Sequence, residues 1–465
     1  MNGLALDLGW VARATGGRLL AGDPARPIGA IVTDSRIVQP GDLFVALRGP
    51  RFDAHQFVPD VLAADAAGAL VTSAPPASTP LAAGLIEVGD TLIALQDLAR
   101  AIRIESGSTV VAITGSAGKT TTKEAIAACL STRFRVVRNK GNLNNHIGLP
   151  LSLTALRTRP DVAVMELGMN HPGEIRTLVG IARPEIRVWT NVGDAHLGFF
   201  ASADAIADAK AELLEGADVS TVLVCNGDDP RILARIGGFP GRVITFGESA
   251  AATVRAEAVE DLGLEGVRAR VTTPAGGGTV TTRLLGRGNL SNVLAAIAVA
   301  TERGVPFDAI AAQVATLTPA PRRGDVKALR DGIHLVDDSY NSSPAALRRA
   351  LDALASVAGR RRVAVLGEML ELGEQAVAMH EASGRAVAEA GIARLFTIGG
   401  IPARALADAA VAAGLARESA TVYPDSQTAA PAVVRGLAAG DVVLVKGSRG
   451  IRTDIVADRI AAELG

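Results

Sequence analysis

The sequence is poor in aromatic residues, and neither sign of charge is in clear excess. Aromatic residues make up 3% of the 465 residues although 48% are hydrophobic, so we expect a core built mainly from Ala, Val, Leu and Ile. With 47 basic and 48 acidic residues the formal net charge is −1, and the two signs are interspersed along the chain. This balance gives no whole-chain attraction to a polyanion, so nucleic-acid binding is not expected.

Cysteines and long apolar runs are equally scarce. Cys129 and Cys225 fall in a predicted helix and a predicted strand, and we interpret both as buried thiols of a reducing compartment. No apolar run approaches the roughly 20 residues that cross a bilayer. The first residues, MNGLALDLGWVARATGG, lack the basic and apolar regions of a signal peptide. We expect a cytoplasmic, soluble monomer without stable membrane insertion.

Length and local composition predict three domains. A chain of 465 residues is too long for one compact core. Two hinge-like segments are rich in small, polar, Pro or Gly residues, RIESGSTV at 103–110 and TLTPAPRRGDVKAL at 316–329. They divide the chain into predicted domains of 1–107, 108–320 and 321–465.

Alternating strands and helices predict an α/β fold. In the central domain, apolar runs such as STVVAIT, DVAVMEL and STVLVCN favour a P-loop domain with a doubly wound parallel sheet. Short alternating strands at 252–285 predict a small antiparallel appendage with a glycine-rich hairpin. In the last domain IHLVDDS, RRVAVLGE, ARLFTIG and DVVLVKGS predict a Rossmann-like α/β domain. The first domain has a mixed α+β pattern.

The stretch AITGSAGKTTTKEA contains a candidate phosphate-binding loop. Such a loop needs glycines that let backbone N–H groups surround an anion, a helix N-terminus, a lysine, and a hydroxyl for Mg²⁺. A predicted strand and helix flank residues that meet these needs: Gly115, Gly118, Lys119 and Thr120. Ile113 stands where the standard G-x-x-x-x-G-K-[ST] pattern has its first glycine, so the loop is a shortened form and Ile113 is interpreted as the last buried residue of the strand. The plainer alternative is a tight strand-to-helix turn that contains a lysine.

Two other nucleotide-site patterns fit less well. GRGNLS at 286–291 begins as a dinucleotide fingerprint but has Ser291 in place of the third glycine. NKGN at 139–142 lacks the aspartate of the base-reading element of GTPases.

In combination, the motifs resemble those of the Mur ligases, the ATP-dependent amide-forming enzymes of peptidoglycan synthesis. The resemblance covers nearly the whole chain, and the segment at 33–58, TDSRIVQPGDLFVALRGPRFDAHQFV, resembles the start of the family's UDP-sugar domain. The other matching segments are TGSAGKTTTK (114–123), GNLNNHIGLPLSL (141–153), MELGMNHPGEI (165–175), NVGDAHLGFF (191–200), DAKAELLEG (208–216), VDDSYNSSPAAL (336–347), LGEMLELG (366–373) and LVKGSRG (444–450).

The resemblance implies an ATP-dependent acid–D-amino-acid ligase with ATP and Mg²⁺ as cofactors. The D-N-P-R element of the diaminopimelate-adding branch is absent, which favours the branch that joins D-Ala-D-Ala to UDP-N-acetylmuramoyl-tripeptide; the third residue of the tripeptide, lysine or diaminopimelate, stays open. The alternatives are a related ligase that adds a single amino acid to a UDP-muramoyl peptide or glutamate to a folate, a P-loop kinase, and a nucleotide-gated binding protein without turnover.

Three candidate residues also have a plain structural interpretation. Glu166 ends an apolar strand, where a carboxylate suits Mg²⁺ beside ATP phosphates or caps a turn. His196 follows another strand and would by itself be a structural histidine. Lys210 lies on an amphipathic helix and would by itself be a solvated lysine. The resemblance implies a metal or phosphate contact for His196, and for Lys210, in the K-x-E motif with Glu212, a carbamylated lysine.

The resemblance therefore assigns the following sites. The catalytic residues are Lys119, Glu166, His196 and Lys210, and the metal ligands are Thr120, Glu166, His196 and carbamylated Lys210. ATP is expected to contact Gly115, Ser116, Ala117, Gly118, Lys119, Thr120, Thr121, Asn289, Asn292, Arg323, Asp337, Tyr340 and Asn341. The other substrates are expected to contact Ser35, Arg36, Asn144, Asn145, Lys446, Ser448 and Arg449.

The chain departs from the family pattern at three places. Gly288 replaces a histidine of the G-x-H-N-x-x-N element, and Arg322-Arg323-Gly324 stands where a Gly-Arg pair is usual. The segment after KGSRG is Ile451-Arg452-Thr453-Asp454, without the Met-Glu that is often found there.

Overall fold

A computed structural model describes residues 3–73, 83–193, 198 and 200–465. The chain forms two compact units. One comprises Met1–Ala112, Phe134–Met169 and Gly173–Ile186, and the other comprises Ile113–Arg133, Asn170–Pro172 and Arg187–Gly465. Within the described ranges, no helix combines the length and the apolar character needed to cross a membrane.

The N-terminal part contains a mixed five-stranded sheet in the order β1-β7-β6-β3-β2, with a separate hairpin of β4 and β5. Strand β1 is antiparallel to β7, and the other pairs are parallel. The strands are β1 (Arg18–Ala21), β2 (Ile31–Val32), β3 (Leu43–Val45), β4 (Arg48–Gly49), β5 (Phe52–Asp53), β6 (Gly68–Val71) and β7 (Gly84–Glu87), and the helices are α1 (Leu8–Thr15), α2 (Val58–Ala63) and α3 (Thr91–Ser106).

Helix α3 shows how local sequence sets an element. Asp90 caps its N-terminus by accepting hydrogen bonds from the N–H groups of Leu92 and Ile93, and Gly107 ends it with a φ of 68°. The buried face recurs at helical spacing, as at Leu95, Leu98 and Ile102.

The central part contains a nine-stranded sheet in the order β16-β15-β14-β13-β12-β11-β8-β10-β9. Its strands are β8 (Thr109–Thr114), β9 (Val136–Arg138), β10 (Val162–Glu166), β11 (Ile186–Trp189), β12 (Val222–Asn226), β13 (Arg242–Gly247), β14 (Val254–Asp261), β15 (Val267–Thr273) and β16 (Gly276–Thr282). Its helices are α4 (Lys119–Ser131), α5 (Gly148–Leu153), α6 (Glu174–Ala182), α7 (Ala203–Ala211), α8 (Pro230–Leu233), α9 (Gly286–Glu302) and α10 (Phe307–Ala315).

The predicted antiparallel appendage continues this sheet. Strand β14 pairs in parallel with β13, and β15 and β16 then pair antiparallel as a hairpin. Alternate residues of β15 are buried, as the alternating sequence predicted.

The C-terminal part contains a six-stranded sheet in the order β17-β18-β22-β19-β20-β21, in which only β17 is antiparallel to its neighbour. This is the predicted second α/β fold. Its strands are β17 (Asp325–Ala328), β18 (His334–Asp338), β19 (Arg362–Gly367), β20 (Arg394–Ile398), β21 (Ala420–Tyr423) and β22 (Val442–Lys446), and its helices are α11 (Pro344–Ala355), α12 (Ala376–Glu389), α13 (Ile401–Ala412), α14 (Ser426–Gly436) and α15 (Asp454–Leu464). Apolar clusters cover both faces of the sheet.

Both cysteines are buried free thiols, as predicted. Cys129 lies in α4 and Cys225 in β12. Burial raises the pKa of each thiol to about 12, so both side chains stay protonated and chemically inert.

A buried carboxylate, that of Asp441, precedes β22 and joins several groups of the C-terminal fold by hydrogen bonds. Asp441 accepts two hydrogen bonds of 2.7 Å from Arg361 and one of 2.8 Å from the N–H of Ala438. The Asp441 hydrogen bond raises the pKa of Arg361.

We expect Asp441→Ala to lower the free energy of unfolding by about 2–4 kcal/mol, because it leaves a half-exposed arginine and a backbone N–H without their acceptor. Unfolding in urea, followed by circular dichroism, measures the change. The matched control is Asp408→Ala in an exposed ion pair with Arg417, where we expect less than about 0.5 kcal/mol. Equal effects of the two substitutions would contradict the prediction.

Candidate active site

Two positions of the predicted phosphate loop require glycine. At one of them a neighbouring atom leaves no room for a Cβ, and at the other the backbone has a positive φ. Gly115 follows β8, and a Cβ there would lie 1.9 Å from Thr190 Oγ1. Gly118 has a φ of 81° and precedes α4, which begins at Lys119. Ile113 is buried inside β8, which ends one residue later at Thr114. The loop therefore has the strand-loop-helix context that the sequence predicted, with Thr120 and Thr121 in the first helical turn.

The segment after β11 clamps this loop. Asn191 accepts a hydrogen bond of 2.9 Å from the N–H of Ala117 and donates one of 2.9 Å to its carbonyl. Thr190 Oγ1 donates to the same carbonyl at 2.9 Å, and Ser116 Oγ accepts from the N–H of Gly193 at 2.9 Å. Thr190 and Asn191 were not among the predicted site residues. Asn191 does, however, begin the segment NVGDAHLGFF, which resembles the family.

Lys119 and Lys210 lie close enough for their charges to interact. Lys119 Nζ donates a hydrogen bond of 2.8 Å to the carbonyl of Gly115, which folds the side chain back over the loop. Lys210, on α7, is only 2% exposed, contrary to the solvated-lysine interpretation. Burial, reinforced by repulsion from Lys119, holds the pKa of Lys210 well below its usual range. Glu212 of the K-x-E motif is also buried.

Glu166 lies at the end of β10, in the first compact unit, and is 4% exposed. Asn144 Nδ2 donates to its Oε1 at 2.8 Å, and Asn139 Oδ1 accepts from its backbone N–H at 3.0 Å. Asn144 thus fixes the carboxylate and Asn139 holds the backbone of Glu166, a role of Asn139 that was not predicted. Asn145 instead caps α5, accepting from the N–H of Gly148 at 2.8 Å.

His196 lies outside the described residues. Among the residues that the structure does describe, no group of three or more His, Cys, Asp or Glu side chains could hold a metal ion.

The start of α9 packs against the phosphate loop. A Cβ on Gly118 would lie 2.2 Å from Asn292 Oδ1, so the loop touches this buried amide. Asn292 Nδ2 donates to Asn289 Oδ1 at 3.1 Å, and Asn289 Nδ2 donates to the carbonyl of Leu285 at 2.9 Å. The structure thus brings both predicted asparagines to the N-terminus of α4.

Three predicted residues of the C-terminal fold stack on one another. The guanidinium of Arg323 lies 4.1 Å from the centroid of the Tyr340 ring, and that of Arg449 lies 5.7 Å from it. The ring and its two cations offer a flat, positively charged surface that suits a phosphate, a carboxylate or a base.

A second group holds the segment that carries Tyr340. Lys446 Nζ donates to Asp338 Oδ2 at 2.6 Å and to the carbonyl of Asn341 at 3.0 Å. Ser448 Oγ accepts from the N–H of Leu370 at 2.9 Å. Asp337 accepts from Ser339 Oγ at 2.5 Å. Lys446 and Ser448, predicted as substrate contacts, are buried and already bonded within the protein.

The structure explains the Arg322-Arg323-Gly324 departure. Arg322 has a φ of 62°, a conformation that favours glycine, the residue of the usual Gly-Arg pair. Its guanidinium is held at 2.7 Å by Asp454 and at 2.9 Å by Asp458.

In the N-terminal part, Ser35 and Arg36 lie in a short 3₁₀ helix capped by Asp34. Arg36 makes two hydrogen bonds to the Asp34 carboxylate, of 2.8 and 2.6 Å, and lowers the pKa of Asp34 to about 2. Arg36 is exposed and Ser35 is half-buried.

Comparisons with known proteins agree with this architecture. Residues 113–300 match the family described as Mur ligase middle domain, and 322–449 match Mur ligase, glutamate ligase domain. UDP-N-acetylmuramoyl-tripeptide–D-alanyl-D-alanine ligase of Bacillus subtilis is 34% identical over 94% of each chain. MurF from Acinetobacter baumannii aligns with a TM-score of 0.89 and 31% identity, over 99% of this chain and all of the other.

A third relative was solved with nucleotide. MurF ligase from Thermotoga maritima, in complex with ADP, aligns with a TM-score of 0.82 and 28% identity, over 93% of this chain and 97% of the other. The short phosphate loop, the amides at the start of α9 and the two α/β sheets thus belong to a chain that matches these relatives over nearly its whole length. The chain belongs to the Mur ligase family.

Proposed function

We propose that the protein joins D-Ala-D-Ala to UDP-N-acetylmuramoyl-tripeptide, forming the UDP-muramoyl-pentapeptide with release of ADP and phosphate. The observation that carries this proposal is the share of the chain that matches relatives of known name. Relatives with this activity in their names match 94% to 99% of the chain, including its N-terminal part. Another Mur branch, the diaminopimelate ligase, aligns with a TM-score of 0.56 and 20% identity.

The phosphate loop provides for the first chemical step. Lys119 and the N–H groups at the start of α4 hold the β- and γ-phosphates of ATP. The terminal carboxylate of the tripeptide attacks the γ-phosphorus, the bond to the bridging oxygen breaks, and ADP leaves. The product is an acyl phosphate. The amine of D-Ala-D-Ala then attacks the acyl carbon, loses a proton, and phosphate departs. Catalysis is mainly positioning and charge neutralisation.

We propose Mg²⁺ as the counter-ion of ATP, with Thr120 and Glu166 offering oxygen ligands. Mg²⁺ commonly binds one or two protein oxygens together with substrate phosphates. Bound there, the ion would neutralise charge that develops on the transferring phosphate. The role of Asn144 is to hold the Glu166 carboxylate in one orientation.

Lys210 fits the carbamylated lysine of the family. Carbamylation needs an uncharged amine, and its burial next to Lys119 favours that form. The carbamate carries a negative charge, which the neighbouring Lys119 cation would stabilise. His196 stays a proposed metal or phosphate contact.

We assign the remaining contacts by part of the chain. Ser35 and Arg36 bind the UDP moiety in a domain of residues 1–107, ATP binds to 108–320, and 321–465 closes the site through Arg323, Asp337, Tyr340 and Asn341. Arg449 contacts the carboxylate of the dipeptide. Lys446 and Ser448 support that surface from within the protein. The monomer works in the cytoplasm, where ATP is available.

Phosphate release from ATP tests the proposal. With UDP-N-acetylmuramoyl-tripeptide present, we expect release to rise at least about tenfold when D-Ala-D-Ala is added, because the dipeptide consumes the acyl phosphate. Single amino acids, including D-Ala, are the matched controls. Release that needs only a single amino acid would place the chain in another branch, and release that ignores every amine would indicate a kinase.

A further inference from the structure

One face of helix α11 lies on glycines of the central part, within the second compact unit. A Cβ on Gly193 would lie 3.3 Å from Ala345 Cβ, and one on Gly286 would lie 2.9 Å from Ala353 Cβ. Arg349 lies between these two alanines, four residues from each, and so belongs to the same helical face. Ala345, Arg349 and Ala353 therefore lie on the face of α11 that packs against the central part.

Arg349 fills the space that Gly288 leaves open. A Cβ on Gly288 would lie 2.9 Å from Arg349 Cδ, 3.5 Å from its Cγ and 3.6 Å from its Nε. Any side chain at position 288 would therefore displace the arginine. The histidine that the family pattern has at this position is incompatible with the observed course of Arg349.

The charge of Arg349 is attracted by a carboxylate that is tied to the phosphate loop. Burial lowers the pKa of Arg349, and Asp229 partly offsets the effect. Asp229 Oδ2 accepts a hydrogen bond of 2.7 Å from the N–H of Val192, next to Gly193. Gly193 in turn bonds to Ser116 of the loop.

We propose that Arg349 is a positioning residue of the ligase reaction, which seats α11 against the start of α9, and so against the phosphate loop, through its contact with Gly288. The proposal rests on the proposed function. Helix α11 directly follows the segment with Tyr340, and the start of α9 contacts Gly118 through Asn292. Arg349 thus aligns the surface around Tyr340 with the ATP that the loop holds, and Gly288 is the residue that makes room for it.

A double-mutant cycle on the full chain tests this role. We expect Arg349→Ala to raise the KM for ATP about tenfold with little change in the KM for UDP-N-acetylmuramoyl-tripeptide, because only the ATP side is misaligned. Arg349→Lys keeps the charge and most of the stem and should recover part of the loss. Gly288→Ala should also raise the KM for ATP. The double variant should be no worse than Arg349→Ala, because the arginine side chain that a methyl group at position 288 would displace is already gone.

The outcomes separate this inference from the proposed function. If wild-type phosphate release does not depend on D-Ala-D-Ala, the proposed function fails, whatever the variants do. If wild type ligates but Arg349→Ala keeps the KM for ATP within twofold, the inference fails. It also fails if the two single effects multiply in the double variant, or if both KM values rise equally with a lower unfolding midpoint, which indicates a purely structural role.

Discussion

Replacing Lys119 with alanine is expected to reduce ligase turnover by roughly a thousandfold or more, because it removes the cation that neutralises the transferring phosphate. Lys119 Nζ bonds to the carbonyl of Gly115 and so lies over the loop, where an anion would replace that contact. The measurement is steady-state phosphate release with all three substrates.

Binding of UDP-N-acetylmuramoyl-tripeptide, measured by calorimetry without ATP, should be unchanged, because the proposed UDP contacts Ser35 and Arg36 lie in the other compact unit. Lys119→Arg retains the charge with a longer, planar head and should restore little activity. Loss of both turnover and binding would contradict the proposed division of the chain, and turnover within tenfold of wild type would contradict the role of Lys119.

Replacing Lys210 with methionine is expected to lower turnover by at least about a hundredfold, because an anion that orients the reactants can no longer form. Methionine has nearly the same shape and no charge, so the buried site should tolerate it; an unchanged unfolding midpoint checks this. Lys210→Arg is the matched variant that keeps a cation but cannot be carbamylated, and it should be equally inactive. Lys210→Met with more than a tenth of wild-type activity would contradict the carbamate.

The pH dependence of this site has a definite sign. The pKa of Lys210 is lowered, so its amine is uncharged at pH values at which an exposed lysine is still protonated. Carbamylation consumes the uncharged amine. The modification should therefore be present above the lowered pKa and lost as the pH falls through it. With ¹³C-labelled bicarbonate, a carbamate signal in the NMR spectrum should appear for wild type, disappear reversibly on acidification, and be missing for Lys210→Met and Lys210→Arg.

The sequence predicted most of the fold because its signals are local. Apolar runs separated by helical segments indicated the parallel strands of both α/β sheets, and alternation indicated the hairpin of β15 and β16. The step from β13 to β14 was not predicted: β14 pairs in parallel, so the appendage extends the main sheet. Strand pairing is a long-range contact that the pattern of one segment does not contain.

The candidate site was predictable where motif and mechanism coincide, as at Gly115, Gly118 and Lys119. The hydrogen bonds that hold these site residues in place were not predictable, because they join residues that are far apart in the sequence. Asn191 clamps Ala117 from 74 residues away, and Asn139 fixes Glu166 from 27 residues away. Lys210 shows the same limit, since its amphipathic helix suggested a solvated side chain and the packing around α7 buries it.

The burial of both native cysteines has a practical consequence for labelling the enzyme. With thiol pKa values of about 12, Cys129 and Cys225 should resist maleimide reagents at neutral pH. A cysteine introduced at an exposed position on either compact unit would then react with the label while the two native thiols do not. Pairs of dyes placed in this way could report, by energy transfer in single molecules, whether the distance between the two units changes as each substrate binds.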